Sequence, residues 1–193
     1  MAQKKIADFD LILIGGSAGS LEVILKLLPS LPRSFPVPVL IVVHRGNNAD
    51  TGFIQLLASR TVLTVKEAEE KEMIRPGFIY VAPSDYHLLI EADHTLSLDV
   101  SEKVNYSRPS IDVSFESAAM MFTTKLLCIL LSGANADGAS GAAFAKSVGS
   151  MVIVQHPHEA QVPYMPLQAI AEVGEENVMT INEIIFLLTV AGS

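Results

Sequence analysis

The sequence predicts an α/β fold: a doubly wound, mainly parallel sheet flanked by helices, with a small antiparallel β element in the middle. Three observations carry that expectation. Runs such as VPVLIVV (37–43) and LLCILL (126–131) are apolar throughout, which is how a strand covered on both faces of a parallel sheet reads. Amphipathic stretches of helical period separate these runs and give the alternation of βαβ units. Two of the runs end in glycine-rich turns, GGSAG (15–19) and SGANADGASG (132–141).

Taken in order, a first strand at 11–14 enters the first glycine turn and a helix at 20–28, which Pro29 and Pro32 close. The strand at 37–43 follows, then a helix at 50–59. The middle differs in character, with short β segments at 62–65, 78–82, 87–91 and 95–98 that include an antiparallel hairpin. The connection 99–108 is the most polar part of the chain. A helix at 110–122 leads into the strand at 126–131, the second glycine turn, a helix at 138–147, a strand at 151–154, and helices at 165–172 and 181–190. The expected organisation is an N-terminal tail, 1–10, followed by one domain, 11–190.

Composition bounds the function. The chain has 193 residues, 50% hydrophobic and 18% charged, with 13 Lys+Arg against 21 Asp+Glu and a net charge of -8. That is one globular domain. Its acidic balance opposes binding to nucleic acid or an anionic membrane, both of which need a Lys/Arg field. No apolar run approaches the roughly 20 residues of a spanning helix, and Asp8 and Asp10 interrupt any signal-peptide pattern, so a cytoplasmic location is expected. The lone Cys128 lies inside an apolar run and reads as a buried, inert thiol.

Ligands of open α/β sheets bind beyond the carboxyl ends of the strands, so the residues just past each run are the ones that carry chemistry. The first strand exits into G-x-S-x-G, whose glycines allow a tight turn that holds the Ser17 hydroxyl clear of the backbone at a helix N-terminus. A helix cap is the plainer explanation of that serine. The second strand runs into His44, placed to act as a general base toward a serine on the neighbouring strand end. The third exits into the turn holding Asp137, an N-cap by itself, but able to accept the histidine Nδ1–H and fix its tautomer. A parallel sheet brings all three to one edge. The chain order Ser, His, Asp is not that of the α/β-hydrolases. His156 and His158 invite a metal reading, but side chains two apart on a strand point to opposite faces, so neither metal nor cofactor is expected.

Several segments together resemble the catalytic domain of the chemotaxis protein-glutamate methylesterases: LILIGGSAGS (11–20), His44 at the end of the second strand, VKEAEEKEMIRPGFIYVAPSDYHL (65–88), SRPSID (107–112), LLSGANADGASG (130–141) and Met165-Pro166. The resemblance implies a doubly wound fold and a serine hydrolase that demethylates glutamyl methyl esters, or deamidates glutamines, on the cytoplasmic region of a methyl-accepting chemoreceptor. It places nucleophile, base and orienting carboxylate on Ser17, His44 and Asp137. Backbone N–H groups near Ala18 and Ala134 are expected to form the oxyanion hole, with Arg108 and Met165 as further substrate-side residues. Arg45 and Arg108 would offset the acidic surface or hold the product carboxylate.

The chain departs from that pattern at Ala134, where a methionine is usual, at Ala136 for an asparagine, at Ala18 for threonine or serine, and at Arg45 for methionine. Only ten residues precede Leu11, so no receiver domain is expected there; the alternatives are a stand-alone enzyme controlled another way, for which a separate receiver or methyltransferase protein is a candidate partner, or one domain of a longer polypeptide. The competing expectations are a serine esterase or amidase with another substrate, and a non-catalytic regulatory module of the same fold.

Overall fold

A computed structural model describes residues 5–45 and 51–189. In chain order the strands are β1 (Leu11–Gly16), β2 (Val39–Val43), β3 (Thr64–Glu67), β4 (Phe78–Val81), β5 (His87–Ile90), β6 (Leu96–Asp99), β7 (Leu126–Leu130), β8 (Met151–Gln155) and β9 (Val178–Met179). The helices are α1 (Ser20–Leu27), α2 (Thr51–Ala58), α3 (Ile111–Phe122), α4 (Ala139–Ser147), α5 (Tyr164–Val173) and α6 (Ile181–Thr189). Seven strands form one sheet in the order β3-β4-β2-β1-β7-β8-β9, and every neighbouring pair in it is parallel. β5 and β6 pair antiparallel in a sheet of their own. This is the doubly wound fold with a small antiparallel element that the sequence predicts.

The apolar runs follow from burial on both faces. Leu11 and Leu13 of β1 join Leu40, Val42, Cys128, Leu130 and the α3 residue Phe115 on one side. Ile12 and Ile14 join Ile41, Ile129 and residues of α1 and α6, among them Ile24, Leu27, Ile184 and Leu188, on the other. With period-2 alternation sending every side chain into one core or the other, no position on these strands tolerates a polar group. Each fully buried Leu or Ile contributes about 1.5–3 kcal/mol relative to exposure. Burial also pushes the Cys128 thiol up, keeping it a neutral hydrophobe.

The chain leaves β1 toward β2 and β4 on one side and later crosses to β7 on the other. The strand order therefore reverses at β1, and its carboxyl end is the crevice where such sheets bind ligands. Register fixes what meets there. Gly16 pairs with Val43 and Gly15 with Leu130, so Ser17 emerges beside His44 on one flank and Ser132 on the other. The His44 N–H donates to Gly16 O at 3.3 Å, and the Ser17 N–H to Ser132 O at 2.9 Å. The β5–β6 hairpin is tied to α3, where Ser114 Oγ donates to Leu88 O at 2.7 Å and Ser117 Oγ accepts from the Ile90 N–H at 3.3 Å.

The structure adds to or departs from the sequence reading in three places. The packed domain reaches N-terminal of Leu11: Ile6 and Phe9, 1% and 2% exposed, sit in the core on a single 3-10 turn, Ile6–Asp8, too short for a periodic signal. The edge strand β9 is two residues long, below what alternation can reveal. His156 and His158 do not lie on a strand; His156 caps a 3-10 turn, Pro157–Glu159, that contains His158, with ring centroids 5.3 Å apart, so the opposite-faces argument does not apply. Asp50 and Val190, the predicted ends of two helices, fall outside the described residues. Among the described residues, no helix is long and apolar enough to cross a membrane.

Candidate active site

β1 ends in two glycines because the turn leaves no room for side chains: a Cβ on Gly16 would lie 2.4 Å from Ser20 Cβ. The turn closes with the Ser20 N–H and Oγ both donating to Ser17 O, at 3.0 and 2.7 Å. Ser17 itself avoids the left-handed region, which Gly19 occupies at φ 83° as N-cap of α1. The Ser17 side chain is half-buried.

Asp137 is fully buried against a His44 side chain 14% exposed, with Oδ2 2.7 Å from His44 Nε2. The sequence reading expected Nδ1 to face the carboxylate; the ring presents Nε2 instead, so the neutral imidazole carries its proton on Nε2 and turns a bare Nδ1 toward the cleft. Four further donors hold the carboxylate. Ser110 Oγ reaches Oδ1 at 2.7 Å, the Asp112 N–H reaches Oδ1 at 3.1 Å, the Ile111 N–H reaches Oδ2 at 2.6 Å, and Asn105 Nδ2 reaches Oδ1 at 3.4 Å. Burial pushes this carboxyl up, but hydrogen bonds from His44, Ser110, Ile111 and Asp112 outweigh it and hold it below the usual range. A carboxylate kept charged in the interior is what an imidazolium on His44 would need.

Asp137 is not the cap of its own helix. Gly138 holds that position, at φ 97°, while the Asp137 carboxylate caps the start of α3. Asp112, in the first turn of α3, returns the arrangement: its Oδ1 accepts from the Gly138 and Gly141 N–H groups at 2.9 and 2.7 Å. The two helices thus exchange carboxylates across their N-termini, each anion meeting free N–H groups and the positive dipole end of the other helix. Asn105 Nδ2 bridges the two acids, donating to Asp112 Oδ2 at 2.8 Å. Burial pushes the Asp112 carboxyl up to about 6, with the Asp137 charge adding to the rise and the glycine N–H groups opposing it.

A cleft of about 120 Å³ opens over His44, lined by Arg45, Asp85, Lys103, Tyr106, Ser107, Arg108 and Pro109. Its outer wall is the strap 100–109 between β6 and α3. Arg108 braces that strap, Nη1 donating to Val100 O and Ser101 O at 2.7 and 2.8 Å. Arg45 is tied back to Ala82 O at 2.8 Å and Glu67 at 3.0 Å, over the Phe53 ring. Both guanidinium groups expected to meet substrate are engaged in holding the cleft's walls. Met165 is fully buried, packed under Gly133, where a Cβ would lie 2.4 Å from its Cε; it supports the turn from below. Ala18 and Ala134 are exposed at the site, and among the described residues neither of their N–H groups donates to a protein acceptor.

Sequence reasoning missed Asn105, Ser107, Ser110, Asp112 and Asn135 as site residues. The signal present was Ser110-Ile111-Asp112 at the start of a helical pattern, a capping sequence whose acid reaches across to another helix. His87 is a buried brace: its Nε2 meets Glu102 O at 2.9 Å and its Nδ1 accepts the Ser110 N–H at 3.1 Å. A larger cavity, about 200 Å³, lies at the amino ends of the strands among Phe9, Asp10, Pro36, Pro38, Ile74, Pro76, His94 and Phe122, on the edge opposite the Ser17, His44 and Asp137 cluster.

The CheB methylesterase family model matches residues 12–188. A Leptospira interrogans protein, provisionally named protein-glutamate methylesterase/protein-glutamine glutaminase, is 42% identical over 177 residues, covering 92% of this chain and 92% of that protein. The Thermotoga maritima protein-glutamate methylesterase/protein-glutamine glutaminase is 35% identical over 165 residues, covering 84% of this chain and 48% of that protein. The crystal structure of the Thermotoga maritima CheB methylesterase catalytic domain matches with a TM-score of 0.89 at 33% identity, over 94% of this chain and 97% of that chain. The chain thus spans nearly the whole of the first relative and about half of the second.

Proposed function

Because the chain belongs to the CheB methylesterase family, we propose that it hydrolyses glutamyl methyl esters on the cytoplasmic region of a chemoreceptor, with Ser17, His44 and Asp137 as its catalytic machinery. The observation that carries this reading is the buried contact of His44 Nε2 with Asp137 Oδ2 at 2.7 Å, on the strand end that register sets beside Ser17.

The chemistry follows from the tautomer. Asp137 holds the Nε2 proton and leaves Nδ1 as the base. Ser17 Oγ attacks the ester carbonyl as Nδ1 takes its proton; the imidazolium, stabilised by Asp137, then protonates the departing methoxide, and methanol leaves. Water enters by the same route, giving up its proton to Nδ1 and releasing the glutamate. The Ala18 and Ala134 N–H groups, which donate to no acceptor among the described residues, would serve as oxyanion donors, each stabilising the oxyanion by about 3 kcal/mol. Alanine at 134 preserves a role that needs only the backbone. Attack on a glutamine amide runs through the same intermediate with ammonia leaving, which fits the glutaminase in the relatives' names.

The test is methanol release from a methylated receptor fragment. Ser17→Ala should lower it by at least about 10³-fold, since removing the nucleophile disables the whole assembly. Equal release by variant and wild type would overturn the assignment.

A further inference from the structure

The nitrogen that must accept the Ser17 proton already has a neighbour. Ser107 Oγ lies 3.5 Å from His44 Nδ1, within reach of two other groups: Asn135 Nδ2 donates to it at 3.2 Å, and it donates to Asn105 O at 3.4 Å. Asn135 sits in the turn after β7, and Asn105 is the residue bridging the two buried carboxylates. The hydroxyl is therefore anchored from both sides of the cleft.

We propose that Ser107, held by Asn135, is a positioning residue that supports His44 in both of its protonation states. A serine hydroxyl has one proton and two lone pairs. One lone pair is committed to Asn135 Nδ2. Before substrate binds, the Ser107 proton points at the bare Nδ1 and keeps the ring turned toward the cleft; it swings to Asn105 O when Ser17 Oγ comes to that single lone pair. Once Nδ1 has taken the Ser17 proton, the hydroxyl keeps its own proton on Asn105 O and accepts from Nδ1–H with its free lone pair. Hydrogen bonds to a charged group are the stronger ones, so the arrangement favours the imidazolium. At 3.5 Å the bond is long and its contribution small. The proposal deepens the methylesterase reading and rests on it.

The other charged or titratable groups facing His44 are Arg45 beside it, Asp85 after β4, and Lys103, Tyr106 and Arg108 on the strap. Behind it stand Asp137 and, through Asn105, Asp112. A change at Ser107 leaves all of these in place.

The experiment is the pH profile of methanol release from a methylated receptor fragment, run on the full chain for wild type, Ser107→Ala, Ser107→Thr, Asn135→Ala and Ser17→Ala. Ser107→Ala should lower kcat about threefold at unchanged KM and move the acid limb of kcat/KM to lower pH by about half a unit, because half a unit is a threefold change in differential stabilisation. Ser107→Thr, which keeps the hydroxyl, should restore both. Asn135→Ala should move the limb the same way by less. Thermal melting midpoints within about 2 °C of wild type would show that each variant is folded. A limb that stays put, or moves to higher pH, while Ser17→Ala is inactive overturns the proposal alone. A Ser17→Ala variant as active as wild type overturns the methylesterase assignment, and this proposal with it.

Discussion

The turns after β1 and after β7 begin as the same device and end as opposites. Each passes from a buried parallel strand into a helix through a glycine in the left-handed region, Gly19 and Gly138, and neither glycine brings a side-chain cap. At α4 the vacancy is filled: the Asp112 carboxylate of another helix accepts the Gly138 and Gly141 N–H groups. At the Ser17 turn, the Ala18 N–H has no protein acceptor among the described residues. One helix start is closed by a carboxyl group of the protein itself and serves as a clamp. The other is open to a transient anion, the oxyanion of the proposed reaction.

Four perturbations test that contrast, beginning with the largest effect. Asp137→Asn keeps the shape of the clamp but removes the charge behind His44, so kcat for methanol release should fall by about 10⁴-fold with the fold intact. A loss under tenfold would mean that Asp137 belongs to the clamp alone. Next, Asp112→Ala strips the acceptor from two buried N–H groups at once and should cost about 2–4 kcal/mol in urea unfolding, with catalysis falling only as far as Asp137 is displaced.

The third perturbation uses pH. The folded protein holds the Asp112 proton up to about 6, above the unfolded value of 3.8, so this group favours folding at low pH and that contribution is lost as pH rises through about 6. Asp137, held below its ordinary value, has the opposite sign: its stabilisation is present above the unfolded carboxylate range and is lost on acidification. Asp112→Asn should therefore gain on wild type in melting temperature between pH 4 and pH 6 and run parallel to it above. A difference that is flat with pH would exclude a titrating Asp112. Smallest is the pair of glycine replacements. Gly138→Ala drives a Cβ to 2.6 Å from Leu130 Cδ1 and 2.9 Å from Ile111 Cγ2 in the core, whereas Gly19→Ala meets the exposed Gln161 at 2.6 Å and the buried Ser132 Oγ at 2.8 Å, beside Ser17. Both strain the backbone by roughly 1–2 kcal/mol, so the first should lose more stability and the second more activity.

The sheet and the three strand-end residues were legible because they obey local rules. Runs without a polar break announce strands buried on both faces, and β1, β2 and β7 place Ser17, His44 and Asp137 at their exits. What was not legible depends on reach across the fold. Nothing in the spacing of Asp112 and Asp137 says that each caps the other's helix; that follows from the packing of α3 against α4. Nor does sequence reveal which imidazole nitrogen meets the carboxylate, since ring orientation is set by the strap through Ser107 and by Asp137 together. Arg45 and Arg108 both line the cleft, and nothing in the sequence reveals the carbonyls they brace, those of Ala82, Val100 and Ser101.

The central position of β1 also has a consequence in time. Its partners are Val39 on one side and, on the other, Leu126, which pairs with Leu11 across most of the chain. Pairings this distant carry the largest loop-closure cost and are the slow steps of folding. On a ribosome, Ser17 and His44 emerge early and wait beside an unfilled edge. The Asp137 carboxylate that meets the His44 ring arrives only after β7 has docked, so a partly made chain would hold Ser17 and His44 without it.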